Sequence, residues 1–154
     1  LLNGGADILF QNTDSSAVLQ TAEKAGKRAF GWDSDMTAYG PKAHLGSAVI
    51  NWGPYYIKAT KDVLEGTWST GGVWWGHKEG AIDMVSIADD VPAETKAKID
   101  TIKAGLKDGS FHPWTGPIQD QAGKEVLAKD QKADDAFLGG IKFYVKGVEG
   151  KLPN

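Results

Sequence analysis

The chain has 154 residues, of which 41% are hydrophobic and 24% are charged, and its formal net charge is −3. This composition is that of an ordinary globular protein with a sizeable core. The 17 lysines and arginines are scattered, which argues against a nucleic-acid surface. No apolar run approaches the roughly 20 residues that a membrane-spanning helix needs. The chain contains no cysteine, which excludes disulfides and thiolate chemistry.

The first part of the chain predicts a strand, a helix and a second strand. Residues 6–11 are a short apolar run suited to a buried strand, and residues 12–15 supply side-chain oxygens that can cap a helix. Apolar residues then recur at helical spacing up to Gly26, a residue type that often follows a helix end. Residues 28–32 form the next strand. The segment is therefore a βαβ unit, in which a right-handed crossover is strongly favoured.

A similar alternation follows. Residues 44–51 predict a strand, Pro54 occupies a position that the first turn of a helix favours, and Gly66 is the expected end of that helix. The helix face expected to be buried consists of Tyr56, Ile57, Thr60, Val63 and Leu64. Residues 73–75 and 81–87 predict two further short strands.

The last third of the chain predicts a helix over residues 92–109 and a β-ribbon over residues 116–126. Residues 136–138 are expected in a short helix and residues 141–145 in a last strand. Alternating strands and helices predict an α/β fold, with a mostly parallel sheet flanked by helices.

Ligands of such sheets bind beyond the carboxyl ends of the strands, where loops lead into helices. This rule selects residues 11–15, after the first strand, and residues 32–36, after the second. We therefore expect these two segments to form one side of a binding cleft.

The second of these segments contains Trp32, Asp33 and Asp35. An indole face can stack on a flat ring, and a carboxylate can accept two hydrogen bonds from a vicinal diol. Together these groups suit a nucleoside or a sugar. The alternative interpretation is that both aspartates cap a turn and that Trp32 belongs to the core.

The first segment places Gln11, Asn12, Thr13 and Asp14 at the start of a helix. We interpret Gln11 and Asn12 as ligand contacts, whereas Asp14 is more naturally a helix cap. A phosphate ligand is not expected, because the segment lacks the glycines that let backbone amides surround one.

Two further candidates follow the third predicted strand. Trp52, with Asn51 beside it, lies between a strand and a helix and could provide a second stacking surface. Lys78 lies in a turn between two glycines, where a solvated turn residue is the simpler interpretation.

The sequence does not favour an enzyme. His44, His77 and His112 are too widely spaced to form a metal-binding motif, and no serine lies in a Gly-x-Ser-x-Gly frame. Asp33 and Asp35 lie two residues apart, but no other acid or base accompanies them. We therefore expect no catalytic residue, no metal and no cofactor.

Several segments, in order, resemble the basic membrane protein family of ABC-transporter substrate-binding lipoproteins, which includes purine nucleoside receptors. The series includes Gly5-Ala6-Asp7-Ile8-Leu9-Phe10-Gln11 with the polar turn after it, and Phe30-Gly31-Trp32-Asp33-Ser34-Asp35 with its Gly-x-Asp-x-Asp pattern. It continues with residues 52–56, 66–68, 75–80 and 143–148. The resemblance spans nearly the whole chain.

The resemblance implies a type I periplasmic-binding-protein-like fold, in which two lobes close on a purine nucleoside or base without catalysis. It implies a membrane permease as partner, and a location in the periplasm or on a lipid anchor at the cell surface. This chain would be the C-terminal part, with residues 1 to about 50 in the second lobe, the remainder completing the two lobes, and the N-terminal lobe missing.

By position in the family, Asp33 would grip the ribose hydroxyls, and residues 11–14 would line the cleft. The full candidate set is Gln11, Asn12, Thr13, Asp14, Trp32, Asp33, Asp35, Asn51, Trp52 and Lys78.

Two positions depart from the family pattern. Asn12-Thr13-Asp14 stands where many members have a glycine-rich turn, and Ile50-Asn51-Trp52 stands where many have a lysine. Without that charge, the ligand could be a free base stacked on Trp52 instead of a nucleoside. The same residues are also compatible with a sugar-binding protein of this fold and with the effector-sensing domain of a transcriptional regulator.

Overall fold

The structure is a computed structural model that describes residues 1–152. The chain divides into two compact units, Leu1–Asp108 and Gly109–Asn154. The predicted second-lobe segment, residues 1 to about 50, lies within the first unit.

The first unit contains a four-stranded sheet, whose strands are β1 (Ile8–Leu9), β2 (Arg28–Asp33), β3 (His44–Ile50) and β4 (Ile82–Val85). They lie side by side in the order β1-β2-β3-β4. The first three strands are parallel, and β4 is antiparallel to β3. The expected α/β fold with a mostly parallel sheet is therefore confirmed, although β1 is shorter than predicted.

Three helices belong to this unit: α1 (Ala17–Lys24), α2 (Gly53–Glu65) and α3 (Ala93–Asp108). The chain leaves α1 through Gly26 at φ 63° and α2 through Gly66 at φ 69°. These are left-handed conformations that glycine adopts without a steric penalty. Both predicted helix ends are thus confirmed.

The core lies where α1 packs on the first two strands. Its buried residues are Leu9, Leu19, Ala22, Ala29, Met36 and Ala43. Leu19 is completely buried, and burial of a leucine side chain contributes about 1.5–3 kcal/mol. Because the small alanines let α1 approach the sheet closely, the loops at both ends of this helix are held near the strands.

A β-bulge interrupts the pairing of β2 with β3. Ala29 is opposite His44, but Gly31 is opposite Ser47, so β3 has one more residue than β2 between these pairs. Side chains on a strand normally alternate between the two faces of the sheet, and a bulge of this kind turns two of them towards the same face. Here it brings His44 Nε2 to 2.8 Å from Ser47 Oγ.

The second unit contains an antiparallel ribbon of β5 (Ile118–Gln119) and β6 (Glu125–Leu127), followed by α4 (Asp135–Gly139). Asp120 Oδ1 accepts hydrogen bonds from the amides of Ala122 and Lys124, each at 2.9 Å, which closes the turn between the strands. Asp134 caps α4 by accepting a hydrogen bond from the Phe137 amide at 2.7 Å. The ribbon and the short helix were both predicted correctly.

Two predicted strands are wrong. Residues 73–75 form no strand, and the four strands of the sheet do not include them. In residues 141–145, only Val145 makes a bridge, to Asp120, because the ribbon beside it is itself only two to three residues long per strand. A strand without a continuous partner cannot satisfy its backbone groups by pairing.

The buried face predicted for α2 is also wrong. Tyr56, Ile57, Val63 and Leu64 are 62–83% exposed, and Thr60 is exposed as well. An apolar stripe predicts that a helix has a face suited to burial, but it does not specify what covers that face. Within the described residues, nothing covers it.

Replacement of Gly31 by alanine tests the packing of the sheet. A Cβ atom at Gly31 would overlap Ser47 Oγ and lie 2.9 Å from Met36 Cβ. Overpacking of this kind costs about 1–3 kcal/mol, which urea denaturation of the full-length protein should show as a lower free energy of unfolding. Gly72→Ala is the matched control, because nothing lies within 4 Å of the Cβ it would add. Equal stabilities of the two variants would contradict this packing.

Candidate ligand-binding site

The three parallel strands end at one edge of the sheet, which we call the carboxyl edge. Residues 10–14 follow β1, residues 34–36 follow β2, and residues 51–52 follow β3. Because β4 is antiparallel, it begins at this edge, and the Asn51 amide donates a hydrogen bond to the Ala81 carbonyl at 2.7 Å. The topology therefore brings all the predicted site segments to the same edge.

Gln11 connects the loop after β1 to the loop after β2. Its Nε2 donates to the Phe30 carbonyl at 3.1 Å and lies 3.8 Å from Met36 Sδ, and its Oε1 accepts from Thr13 Oγ1 at 2.8 Å. The side chain is buried, so it positions the loop by these contacts. Asn12 and Asp14 are exposed and leave their polar atoms accessible.

Trp32 and Asp33 are both half-buried at the end of β2. They pair with Ala48 and Val49 respectively. Asp33 has a φ of 67°, a conformation that aspartate tolerates better than most residues. Within residues 1–152, its carboxylate makes no hydrogen bond or ion pair, so both oxygens can accept from a ligand.

Asp35 differs from Asp33, because its carboxylate already has internal partners. It accepts hydrogen bonds from Thr37 N at 3.0 Å, from Thr37 Oγ1 at 2.6 Å and from Ser86 Oγ at 2.5 Å. The bonds from Ser86 and Thr37 lower the pKa of Asp35 to about 2. This carboxylate ties the turn after β2 to the residue that follows β4.

Trp52 belongs to a cluster of aromatic rings after β3. It is 55% exposed and stacks on Tyr56, with ring centroids 6.1 Å apart and planes at 28°. Tyr55 meets the edge of Trp75 at 5.9 Å. Asn51 starts α2 by accepting a hydrogen bond from the Gly53 amide at 3.1 Å. The cluster offers an exposed indole at the carboxyl edge.

Lys78 is exposed in the turn that precedes β4. Glu79 accepts a hydrogen bond from the Gly76 amide at 2.9 Å, and a His77 ring nitrogen lies 2.7 Å from the Ile82 carbonyl oxygen. These contacts hold the turn beside Asn51, although none of them involves the ammonium group of Lys78.

One charged group at this edge escaped the sequence-based prediction. Asp83 lies in one row of the sheet with Val49 and Asp33, and its carboxylate is 2.8 Å from Lys103 Nζ and 3.6 Å from His77 Nε2. Burial raises its pKa, but hydrogen bonds from Lys103 and the Met84 amide outweigh that effect and keep the pKa below its usual value. The sequence contained no signal for this placement, because the direction of β4 could not be read from it.

Two grooves of the chain are lined by other residues. One, of about 450 Å³, is lined by apolar residues that include Leu2, Leu9, Phe10 and Val18. The other, of about 720 Å³, includes Asp35, His44 and Ser86. Neither of these two grooves includes Asp33 or Trp52.

Residues 1–152 contain no group of three or more histidine, cysteine, aspartate or glutamate side chains arranged to hold a metal ion. In the same range, no helix has both the length and the apolar character required to cross a bilayer.

Comparison with known proteins identifies the family. A family described as "ABC transporter substrate-binding protein PnrA-like" matches residues 1–108. A purine-binding protein of Brucella abortus (strain 2308) is 44% identical over 153 residues, which are 99% of this chain and 43% of that protein. A putative ABC transporter glucose-binding protein of Haloferax volcanii is 23% identical over 154 residues, or 37% of its length. The chain thus spans less than half of each relative.

Solved structures show the same fold at low sequence identity. A transcriptional activator of the comK gene from Bacillus halodurans matches with a TM-score of 0.66 and 19% identity, covering 73% of this chain and 40% of that one. An ABC transporter solute-binding protein from Conexibacter woesei matches with a TM-score of 0.54 and 20% identity, covering 72% of this chain and 38% of that one. The type I periplasmic-binding-protein-like fold is therefore common to all three.

Asp35→Asn should lower the free energy of unfolding at neutral pH, because an amide replaces a carboxylate that accepts three hydrogen bonds. The pKa of Asp35 in the folded protein is about 2, below its ordinary value of 3.8. Its stabilisation is therefore complete above about pH 4 and is lost as the pH falls towards about 2. Urea denaturation at several pH values should show the wild type and the variant converging in that range.

The matched control is Asp33→Asn, two residues before Asp35. It also removes a carboxylate charge, but the Asp33 carboxylate has no internal partner among the described residues. It should leave the free energy of unfolding nearly unchanged over the same pH range. An equal loss of stability in both variants would contradict the distinction between these aspartates.

Proposed function

The chain belongs to the PnrA-like family of ABC transporter substrate-binding proteins, and we propose that its carboxyl edge forms one side of a cleft for a purine nucleoside or base. The family consists of substrate-binding components of transporters and not of enzymes, and its members act outside the cytoplasm. The observation that carries the proposal is the placement of an unengaged carboxylate, Asp33, and an exposed indole, Trp52, at the ends of neighbouring parallel strands.

The two groups have complementary roles. A purine is flat and aromatic, and stacking of a base on an aromatic side chain contributes about 1–3 kcal/mol. Trp52 presents such a surface, held by Tyr56 behind it. Asp33 can accept hydrogen bonds from both hydroxyls of a ribose, and bonds to a charged group contribute about 1.5–3 kcal/mol. One nucleoside could therefore engage both residues.

The other predicted site residues would serve in two ways. Asn12, Thr13, Asp14 and Lys78 are exposed at or beside the same edge and could contact polar atoms of the ligand. Gln11, Asp35 and Asn51 hold the loops through the hydrogen bonds described above. Trp32, half-buried beside Asp33, would support the strand end.

The purine class is supported by a relative. The Brucella abortus protein, 44% identical over nearly the whole chain, is a purine-binding protein. This chain covers 43% of that protein. We therefore infer the ligand of the complete protein from two observations together: the carboxyl edge and the sequence identity to this relative.

A sugar is the second candidate ligand. The Haloferax volcanii relative is a putative glucose-binding protein, and an aspartate beside an exposed tryptophan also suits the hydroxyls and apolar face of a pyranose. Its identity to this chain is 23%, about half that of the purine-binding relative. The purine proposal is therefore the better supported.

As a transport component, the complete protein would deliver its ligand to a membrane permease. We propose that it does so in the periplasm or from a lipid anchor at the cell surface, as expected for this family. The domain assignment, with residues 1 to about 50 in the second lobe, is part of the same proposal.

Calorimetry of the full-length protein tests the ligand class. Adenine, adenosine, guanosine and inosine are titrated beside ribose and glucose. At least one of the four purine compounds should bind, and neither sugar should. Binding of glucose or ribose alone would favour the sugar-binding alternative, and silence from all purine compounds would end the proposal.

Two substitutions assign the roles of Asp33 and Trp52. Asp33→Asn should weaken nucleoside binding about tenfold to hundredfold and leave free-base binding unchanged, because only the nucleoside has ribose hydroxyls. Trp52→Ala should weaken both about tenfold through lost stacking. Trp68→Ala is the matched control, because Trp68 is similarly exposed, at 53%, but follows the C-terminal end of α2, whereas Trp52 precedes its first residue. Equal effects of the two tryptophan substitutions would contradict a stacking role for Trp52.

A further inference from the structure

A chain of hydrogen bonds runs from the buried side of the sheet to the turn that carries Asp33. The Met36 amide donates to Ser47 Oγ at 3.0 Å, and Ser47 Oγ lies 2.8 Å from His44 Nε2. His44 Nδ1 lies 3.3 Å from Thr37 Oγ1, which is 2.6 Å from Asp35 Oδ1. Met36, His44 and Ser47 are at most 3% exposed, so water does not compete for the inner links.

Only one assignment of donors and acceptors satisfies all the hydrogen bonds of this network. An ionised carboxylate only accepts, so the Thr37 hydroxyl donates to Asp35 and must accept from His44 Nδ1–H. A neutral imidazole protonated at Nδ1 has its lone pair at Nε2, which accepts from the Ser47 hydroxyl. Ser47 Oγ then accepts from the Met36 amide, and every hydrogen-bonding group is satisfied.

We propose that Ser47 and His44 are positioning residues of the binding site. They hold the Met36 amide and, through it, the turn of residues 33–36 that presents Asp33, and every group in this network is satisfied when His44 is neutral. The consequence for the ligand rests on the proposed function, since it requires Asp33 to contact the ligand. The β-bulge makes this arrangement possible, because it turns His44 and Ser47 towards each other.

Protonation of His44 would disrupt this assignment of donors and acceptors. Nε2 would become a donor, and the Ser47 hydroxyl would lose its acceptor in a place where no water can replace it. Ser47 Oγ could still accept from the Met36 amide, but its own buried hydroxyl hydrogen would be unpaired, which makes this arrangement of Ser47 and of the turn that it holds less favourable. Ligand affinity should therefore fall when His44 takes up a proton.

The charged surroundings of His44 affect its protonation in both directions. Burial has the largest effect and lowers the pKa of His44 below its ordinary value of 6.5, while Asp35 raises it and Arg28 lowers it. Arg28 donates to the His44 carbonyl at 3.1 Å and pairs with Asp90 at 2.5 Å. The charged groups around this region are Asp35 in the turn after β2, Arg28 on β2, Glu23 on α1, Lys42 before β3, and Asp89 and Asp90 after β4.

The lowered pKa of His44 determines in which direction stability and ligand affinity change with pH. His44 is neutral in the folded protein above about pH 6.5, and the chain of hydrogen bonds is then intact. As the pH falls below that value and through the lower pKa of the folded state, both stability and ligand affinity decrease. Inosine is titrated between about pH 5 and about pH 7.5, the range in which histidine is the side chain that normally changes its charge.

Calorimetry of the full-length protein with inosine across that range provides the test. The wild type should lose about tenfold in affinity at the acid end, the effect of losing one well-placed hydrogen bond. His44→Gln, which cannot titrate, should bind with nearly constant affinity. His112→Gln, a histidine of the second unit, should retain the pH dependence of the wild type. If the dependence persists in His44→Gln, or disappears only in His77→Gln at the carboxyl edge, the proposal is overturned.

A second measurement needs no ligand and no substitution of a buried residue. Nuclear magnetic resonance of the ¹⁵N-labelled protein should show His44 neutral and protonated at Nδ1 at about pH 7.5. The protection of the Met36 amide, its exchange rate compared with that of an unstructured amide at the same pH, should fall as His44 protonates. Protonation at Nε2, or exchange independent of His44, would overturn the positioning role. Absence of inosine binding by the wild type would count against the purine proposal only, because the Met36 exchange still decides the positioning role.

Discussion

The parallel pairing of β1, β2 and β3 is the constraint on which the site depends. Three strands that run in one direction must end at one edge, and their loops then share a surface although they are separated by some 20 residues each in the chain. The packing of α1 on β1 and β2 through Leu19 and Ala22 maintains that pairing. The paired strands thus bring an unengaged carboxylate and an exposed indole to the same edge.

Binding and stability are divided between neighbouring residues at this edge. Asp35 is committed to Thr37 and Ser86, and Gln11 to Phe30 and Thr13, so these side chains hold the loops and are not free to follow a ligand. Asp33 has no such partner in the described chain. A rigid frame around one accessible carboxylate reduces the ordering that a ligand must impose, which favours affinity.

Much of the fold could be predicted from the sequence, because the strands of the first unit are apolar runs and glycines mark the ends of α1 and α2. The predicted burial of α2 failed, because an apolar face does not reveal its partner. Segments at the strand ends were predictable from the fold class, but the contrast between Asp33 and Asp35 was not, because Ser86 is 51 residues distant in sequence. His44 and Ser47 escaped notice for a similar reason: simple alternation places residues three apart on opposite faces, and no residue pattern announced the bulge.

A crystal structure of the full-length protein grown with inosine would show whether the carboxyl edge binds the ligand. We expect the ligand at that edge, with its base stacked on Trp52 and its ribose hydroxyls within about 3 Å of the Asp33 carboxylate. A ligand bound elsewhere, or one that leaves Asp33 and Trp52 in contact with solvent, would contradict it.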